Sequence, residues 1–281
     1  MVTVAAALEA GQPEPRRRHR DAAMRILVTF ALDSEFAPWR KLREFRPQKQ
    51  GCEKAFLANM QGAQVMAVLT GAGPKSAADC ANRLFRGARD LPDVCISAGF
   101  AGALRREYEV GDVLVAASVV TGTAGNEREA PSSASLVSAA ASCGARRASR
   151  FCTSEQVVTT AATKHQLGEV ADAVEMESYY ILHGAGPKVE TVAIRAISDM
   201  CDEDLPLDMN HVFGAPGRVS MARVMREIVR HPLSVPALMR LWKQSVIAGK
   251  SLADFMEKYL KALTQLKRET ELSPAAVLTT Q

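Results

Sequence analysis

The chain has 281 residues, 47 % of them hydrophobic, and a formal net charge of +4 at pH 7. That is ample material for a buried core in one large α/β domain or two small ones, and no run approaches the ~18 apolar residues of a membrane span. Cys52, Cys80, Cys95, Cys143, Cys152 and Cys201 are scattered without a CxxC pair and the five histidines are isolated, which argues against a disulfide frame or a metal site and fits reduced, buried thiols in a cytoplasmic protein.

Residues 1–23 join a few apolar residues to Pro13, Pro15 and the cluster Arg16-Arg17-Arg18-His19-Arg20. Charge after the apolar part is the reverse of a secretory signal. A disordered extension is expected there, with the fold, and as an alternative translation itself, starting at Met24. Arg25-Ile26-Leu27-Val28-Thr29-Phe30 is short, apolar and β-branched, as in a buried parallel strand. Asp33-Ser34-Glu35 opens a helix that carries Phe36, Trp39 and Leu42. The two acids either cap that helix or face a ligand beyond the carboxyl end of the first strand, where open α/β sheets bind one.

Phe56-Leu57-Ala58 and Val65-Met66-Ala67-Val68-Leu69 form a hairpin-like pair around Gln61-Gly62. The second strand leads through Thr70-Gly71-Ala72-Gly73-Pro74-Lys75-Ser76 to a helix over about 77–85. Strand, glycine turn and helix amino end make an anion site, because free backbone N–H groups point at the ligand; the same glycines also suit a tight turn alone. Asp93-Val94-Cys95-Ile96-Ser97 is another buried strand, and Ala98-Gly99-Phe100-Ala101-Gly102-Ala103 after it admits either a flat ligand or a closely packed helix. Tyr108-Glu109-Val110-Gly111-Asp112 precedes a strand at 113–116, whereas 121–148, rich in Ser, Ala, Gly and Thr, reads as a loop with one weak helix. Arg150-Phe151-Cys152-Thr153 restarts the sheet, and Ser154-Glu155-Gln156-Val157-Val158 should lie near a site.

From Arg218 the texture is helical. Met221, Val224, Met225 and Ile228 recur at helical spacing, as do Val235, Leu238, Trp242 and Val246, with a break at His231-Pro232. Arg218, Arg223, Arg226, Arg230, Arg240, Lys243 and Lys250 stand against Glu227 alone, seven minus one, or +6. The rest of the chain is therefore slightly acidic, so the pattern speaks for a local basic face and not for nucleic acid. Such a basic amphipathic pair either packs on the sheet with a solvated face or lies on a membrane surface. A final helix is expected over 252–266, then a frayed tail at 271–281.

Alternating strands, glycine turns and helices indicate an α/β fold with a mainly parallel sheet. Two stretches suggest chemistry: Ala173-Val174-Glu175-Met176-Glu177-Ser178, with two carboxylates and a thioether, and Val192-Ala193-Ile194-Arg195-Ala196-Ile197-Ser198-Asp199, an apolar run ending in an acid. Together with the first strand and Glu35, Thr70-Gly71-Ala72-Gly73 and Gly99-Phe100-Ala101-Gly102, they resemble the nucleoside phosphorylase and methylthioadenosine/adenosylhomocysteine nucleosidase superfamily in order and spacing. The resemblance covers residues 24–200. It implies one domain over 24–270, a central mixed, mainly parallel twisted sheet flanked by helices, extra C-terminal helices over 219–270, and a homo-oligomer.

It also implies cleavage of a purine N-glycosidic bond. Asp199 matches the acid that protonates the base, for which burial would have to raise its pKa. Glu177 matches the acceptor of both ribose hydroxyls, and its charge favours a cationic sugar. Met176 would lie under the ribose or simply fill the core, and Glu175 has no assigned chemistry. Phe100, Ala101, Gly102, Val157 and Ser198 complete the implied substrate site. Glu35 activates the nucleophile if it is water. If it is inorganic phosphate, Thr70, Gly71, Gly73 and Lys75 are the candidate ligands. No other cofactor and no metal is expected. The run Asp202-Glu203-Asp204-Leu205-Pro206-Leu207-Asp208, Gly217-Arg218-Val219 and the segment around Arg230-His231-Pro232 resemble the hopanoid-associated phosphorylase branch. That branch acts on adenosylhopane, releasing adenine and leaving a phosphoribosyl hopane, so adenosylhopane phosphorolysis is the leading expectation. The resemblance thus implies a nucleoside substrate that is lipid-linked, with peripheral membrane contact through 218–250. An ordinary methylthioadenosine/adenosylhomocysteine nucleosidase and a non-catalytic nucleoside-binding protein are the alternatives.

Overall fold

A computed structural model describes residues 23–48, 54–60, 62–122, 126–206, 213–214, 218–219 and 235–272. Its first strand, β1 (Met24–Phe30), is buried everywhere except Arg25, as a strand covered on both faces must be. It runs parallel to β4 (Ala63–Leu69) on one side and β5 (Val94–Ala103) on the other. β5 is the hub. It pairs in parallel with β10 (Glu190–Asp199) along most of its length, and its last residues pair antiparallel with β9 (Ala173–Glu175). From β10 the path continues through β6 (Val113–Thr121) and β8 (Arg146–Thr153) to β9 and so back to β5. Five strands therefore close on themselves, which leaves no unpaired edge in that part. β4, β3 (Ala55–Met60) and β2 (Arg46–Gln48) extend beyond β1 as an open arm, β7 (Arg128–Pro131) adds to β6, and β11 (Phe213–Gly214) pairs with β12 (Arg218–Val219) separately. This is the α/β single domain with a mixed sheet expected from the resemblance.

The helices flanking the sheet are α1 (Asp33–Leu42), α2 (Pro74–Phe85), α3 (Ala134–Ser142), α4 (Ala161–Leu167), α5 (Ser178–Ala185) and the 38-residue α6 (Val235–Leu272). Leu252, Ala253, Met256, Tyr259, Leu260 and Leu263 form the buried stripe of α6 at helical spacing, which packs against α1, α3 and β10. Polar anchors set the docking. Trp39 Nε1 donates to Glu257 Oε1 at 2.8 Å, Arg43 grips the same carboxylate with two nitrogens at 2.9 and 2.6 Å, and the Tyr259 hydroxyl donates to the Leu136 carbonyl at 3.0 Å. Gly249 permits a close approach: a Cβ there would stand 3.0 Å from Pro38 Cγ and 3.4 Å from the Phe100 ring.

Three expectations need correction. The segments at 235–246 and 252–266 are one helix, because no proline interrupts 235–266 apart from Pro236 in the first turn, where the missing N–H costs nothing. The helix expected within 121–148 is α3, but the rest is more ordered than a loop, since it also holds β7 and the start of β8. β7 escaped notice because Arg128-Glu129-Ala130-Pro131 buries only Ala130 and has no apolar run. Third, the apolar set of 235–246 does not pack on the sheet: Val235, Trp242 and Val246 are exposed, together with Met239. The residues 221–228, the break at 231–232 and residues 1–22 lie outside the described residues.

Candidate active site

The carboxyl ends of β1, β5, β9 and β10, with the turns after β4 and β8, converge on one cleft of about 220 Å³. Sheet ends of this kind are where α/β folds bind ligands. Glu35, Phe100, Ala101, Gly102, Val157, Met176, Glu177, Ser198 and Asp199 all line it. Residues 164 positions apart in the chain thus face one another.

Glu35, in the first turn of α1, both caps and lines. Its Oε2 accepts the Ala31 and Leu32 backbone N–H groups at 2.8 and 2.9 Å, and Oε1 accepts that of Phe100 at 2.8 Å. Gly99 is needed for this: a Cβ would stand 2.7 Å from Oε1. Burial raises the Glu35 pKa by more than the Arg195 charge and those three N–H donors lower it. A carboxylate moved upward in this way is better suited to take a proton near neutral pH. Asp33 instead pairs with Arg40 at the surface, 2.9 Å away.

Glu175, Glu177 and Arg195 form a buried charge network. Glu175 Oε2 accepts the Glu177 and Ser178 N–H groups and Arg195 Nη2, while Oε1 accepts the Thr153 hydroxyl. Burial pushes the Glu175 pKa up, but the Arg195 charge and these donors outweigh it, and the net movement is down. Glu175 is therefore the structural partner of Arg195. Glu177 lies 3.8 Å from Arg195 Nη2 and accepts the Gly73 N–H at 2.8 Å. Its pKa is pushed up to about 8, by burial first and then by the charges of Glu175 and Glu35.

The position expected to hold an anion at the amino end of α2 is thus filled by the protein itself: the Gly73 N–H, in a turn where φ is 92°, is spent on the Glu177 carboxyl. Lys75 is not brought to the cleft. Its side chain is exposed and pairs with Asp79 one turn along α2 at 2.7 Å, because position 75 falls on the solvent side of a helix whose buried face carries Ala77, Cys80 and Ala81. Thr70 is buried, with its hydroxyl turned to the Gly71 and Phe30 carbonyls, and of this turn Ala72 lines the cleft.

Asp199 stands where β10 breaks register against β5, between Ile197 and Asp199. An irregularity of this type re-aims a side chain. Gly102 makes room, since a Cβ there would meet Asp199 Oδ2 at 2.8 Å. Asp199 Oδ1 accepts the Ser198 hydroxyl at 2.9 Å and Oδ2 accepts Lys164 Nζ at 2.5 Å. Sequence reasoning passed over Lys164, and over Leu241 and Ser245 of α6, which close one side of the cleft. They lie eight and four residues before Gly249, on the helix face that Gly249 seats against α1 and Phe100.

The model of the phosphorylase superfamily matches residues 25–230. The chain belongs to this superfamily. Solved structures of similar fold include the 5′-methylthioadenosine/S-adenosylhomocysteine nucleosidase of Helicobacter pylori with butyl-thio-DADMe-Immucillin-A, at a TM-score of 0.66 and 16 % identity over 85 % of this chain and 98 % of that one. The corresponding nucleosidase of Campylobacter jejuni gives 0.64 and 18 % over 86 % and 100 %, and futalosine hydrolase of Helicobacter pylori 0.65 and 16 % over 85 % and 98 %. These likenesses bear on the fold. As a superfamily member the protein is an enzyme of the nucleoside phosphorylase or nucleosidase type, acting on a nucleoside N-glycosidic bond. Among the described residues no helix is long and apolar enough to cross a membrane.

Proposed function

We propose that this phosphorylase-superfamily enzyme releases adenine by hydrolysis from an adenine nucleoside whose 5′ position carries an apolar substituent. The observation that carries the proposal is the meeting of Glu35, Glu177 and Asp199 on one cleft beside Leu241 of α6. Asp199 gives the proton that neutralises the departing base. Glu177 accepts the ribose hydroxyls, and Met176 lies beneath the sugar. Glu35 takes a proton from the attacking water, and Phe100 and Val157 flank the substrate. General acid and base help of this kind contributes ~10²–10⁴-fold for each group.

Water is preferred to phosphate because Lys75 points to solvent and the Gly73 N–H is already engaged. Adenosylhopane is the leading specific substrate. Met239, Trp242 and Val246, exposed on the helix that lends Leu241 to the cleft, and the neighbouring Arg240, Lys243 and Lys250 support peripheral contact with an anionic bilayer. Adenine release from an adenosyl lipid, methylthioadenosine and adenosine, each with and without phosphate, tests the reading. Phosphate-independent release that favours the lipid supports it in full. Phosphate-dependent release changes the nucleophile to phosphate, and preference for methylthioadenosine removes the lipid.

A further inference from the structure

Burial alone is a poor source for the proton that Asp199 must deliver. Each of its oxygens already faces a donor, the Ser198 hydroxyl at 2.9 Å and Lys164 Nζ at 2.5 Å. A carboxylate so placed is satisfied without a proton of its own. Lys164 is fully buried in α4, and its ammonium has three acceptors: Asp199 Oδ2, the Met200 carbonyl at 2.8 Å and the Glu203 carbonyl at 3.0 Å. It is absent from the cleft lining, so it reaches substrate only through Asp199. Burying an ion pair costs desolvation that transfer of the shared proton from Nζ to Oδ2 removes.

We propose that Lys164 is the positioning residue that supplies the proton Asp199 delivers to the leaving base. The inference rests on the proposed role of Asp199. The bond from sugar to base breaks with its electron pair going to the base. The base takes the proton held by the Asp199 carboxyl, which Lys164 Nζ has passed to Oδ2, and Lys164 is left as a neutral amine. Attacking water gives its own proton to Glu35, and both groups return to their starting states by exchange with solvent after products leave.

The surrounding charges do not compete for Lys164. Asp202 faces His165 at 2.9 Å and Arg106 at 3.3 Å. The Glu203 carboxylate faces Gln244 at 3.0 Å and Arg240 at 3.9 Å, and Asp204 accepts the Ala161 N–H at 2.7 Å. Across the cleft, Glu35 and Glu177 are held by backbone N–H groups.

Lys164→Met and Lys164→Arg separate the possible roles, because a guanidinium keeps the charge but does not release a proton. With adenine release as the assay and circular dichroism as the check on folding, both variants should lose about 100-fold or more in kcat with KM nearly unchanged. In Lys164→Met the residual rate should climb as pH falls, since Asp199 must then draw its proton from solvent. A folded Lys164→Arg enzyme near the wild-type rate would overturn the proton supply, and so would a Lys164→Met enzyme with the wild-type pH profile. If Lys164→Met does not fold, Lys164→Gln replaces it in the same comparison. Should the wild type release no base from any purine nucleoside, the functional reading fails first and takes the inference with it.

Discussion

Glu177→Gln gives the most quantitative check on the buried charge network. In the folded protein the Glu177 carboxyl is pushed up to about 8 from an ordinary value of 4.5. Below pH 4.5 folded and unfolded chains are both protonated there. Between 4.5 and 8 the unfolded chain loses its proton first, so stability falls as pH rises, by up to ~1.4 kcal/mol per pH unit. Above 8 both forms are ionised and the loss is constant. Full expression over that window would amount to about 5 kcal/mol; because Glu175 and Arg195 share the charge, a few kcal/mol is the expected size. Gln keeps an oxygen for the Gly73 N–H but cannot ionise. Urea unfolding followed by circular dichroism at several pH values from 5 to 9 should show the variant gaining on the wild type steadily towards pH 8, then holding its gain. Two stability curves that run parallel across that range would refute the buried, protonated Glu177.

Further outcomes follow from the packing. Gly102→Ala puts a Cβ 2.8 Å from Asp199 Oδ2 and 3.4 Å from Val174 Cγ1; a displaced acid should cost ~10–100-fold in kcat for base release, and an unchanged rate would show that the position of Asp199 is not critical. Arg195→Met leaves Glu175 buried without its cation, so urea unfolding should show a loss of about 3–5 kcal/mol, and a loss below about 1 kcal/mol would mean that the pair is not what holds this network. Leu241→Asp should raise KM for substrates with an apolar 5′ group while leaving adenosine unaffected. Equal changes for both would deny α6 a part in 5′ recognition.

Most of the strands were legible because buried parallel strands must be continuous apolar runs, as in β1 and β10; their order in the sheet was not. The carboxylates of the cleft were legible by family resemblance, and each sits at a strand end, in the first turn of a helix or, for Glu177, at the cap before α5. Lys164 was not. Ala161–Leu167 is a short polar helix on which nothing marks a lysine for burial; the burial comes from residues 199–203 folding back over it. Leu241 and Ser245 were equally hidden, since their place at the cleft depends on where Gly249 seats a helix that began as two in the sequence reading. Lys75 failed the other way: its sequence position beside a glycine turn suggested an anion, but its side chain turns to Asp79. The acceptor at that turn is the Glu177 carboxyl, more than a hundred residues on, and no local pattern pairs the two.

The central claim is that this cleft breaks an N-glycosidic bond by protonating the base through Asp199. Asp199→Asn tests it most directly, because Asn keeps its one oxygen for Lys164 Nζ and can turn its amide NH2 to the Ser198 hydroxyl, which then accepts, yet holds no acidic proton. Adenine release at saturating substrate should fall by ~10²–10⁴-fold, with the circular dichroism spectrum of the folded protein retained. A folded Asp199→Asn enzyme that releases adenine within a few-fold of the wild-type rate would contradict the account.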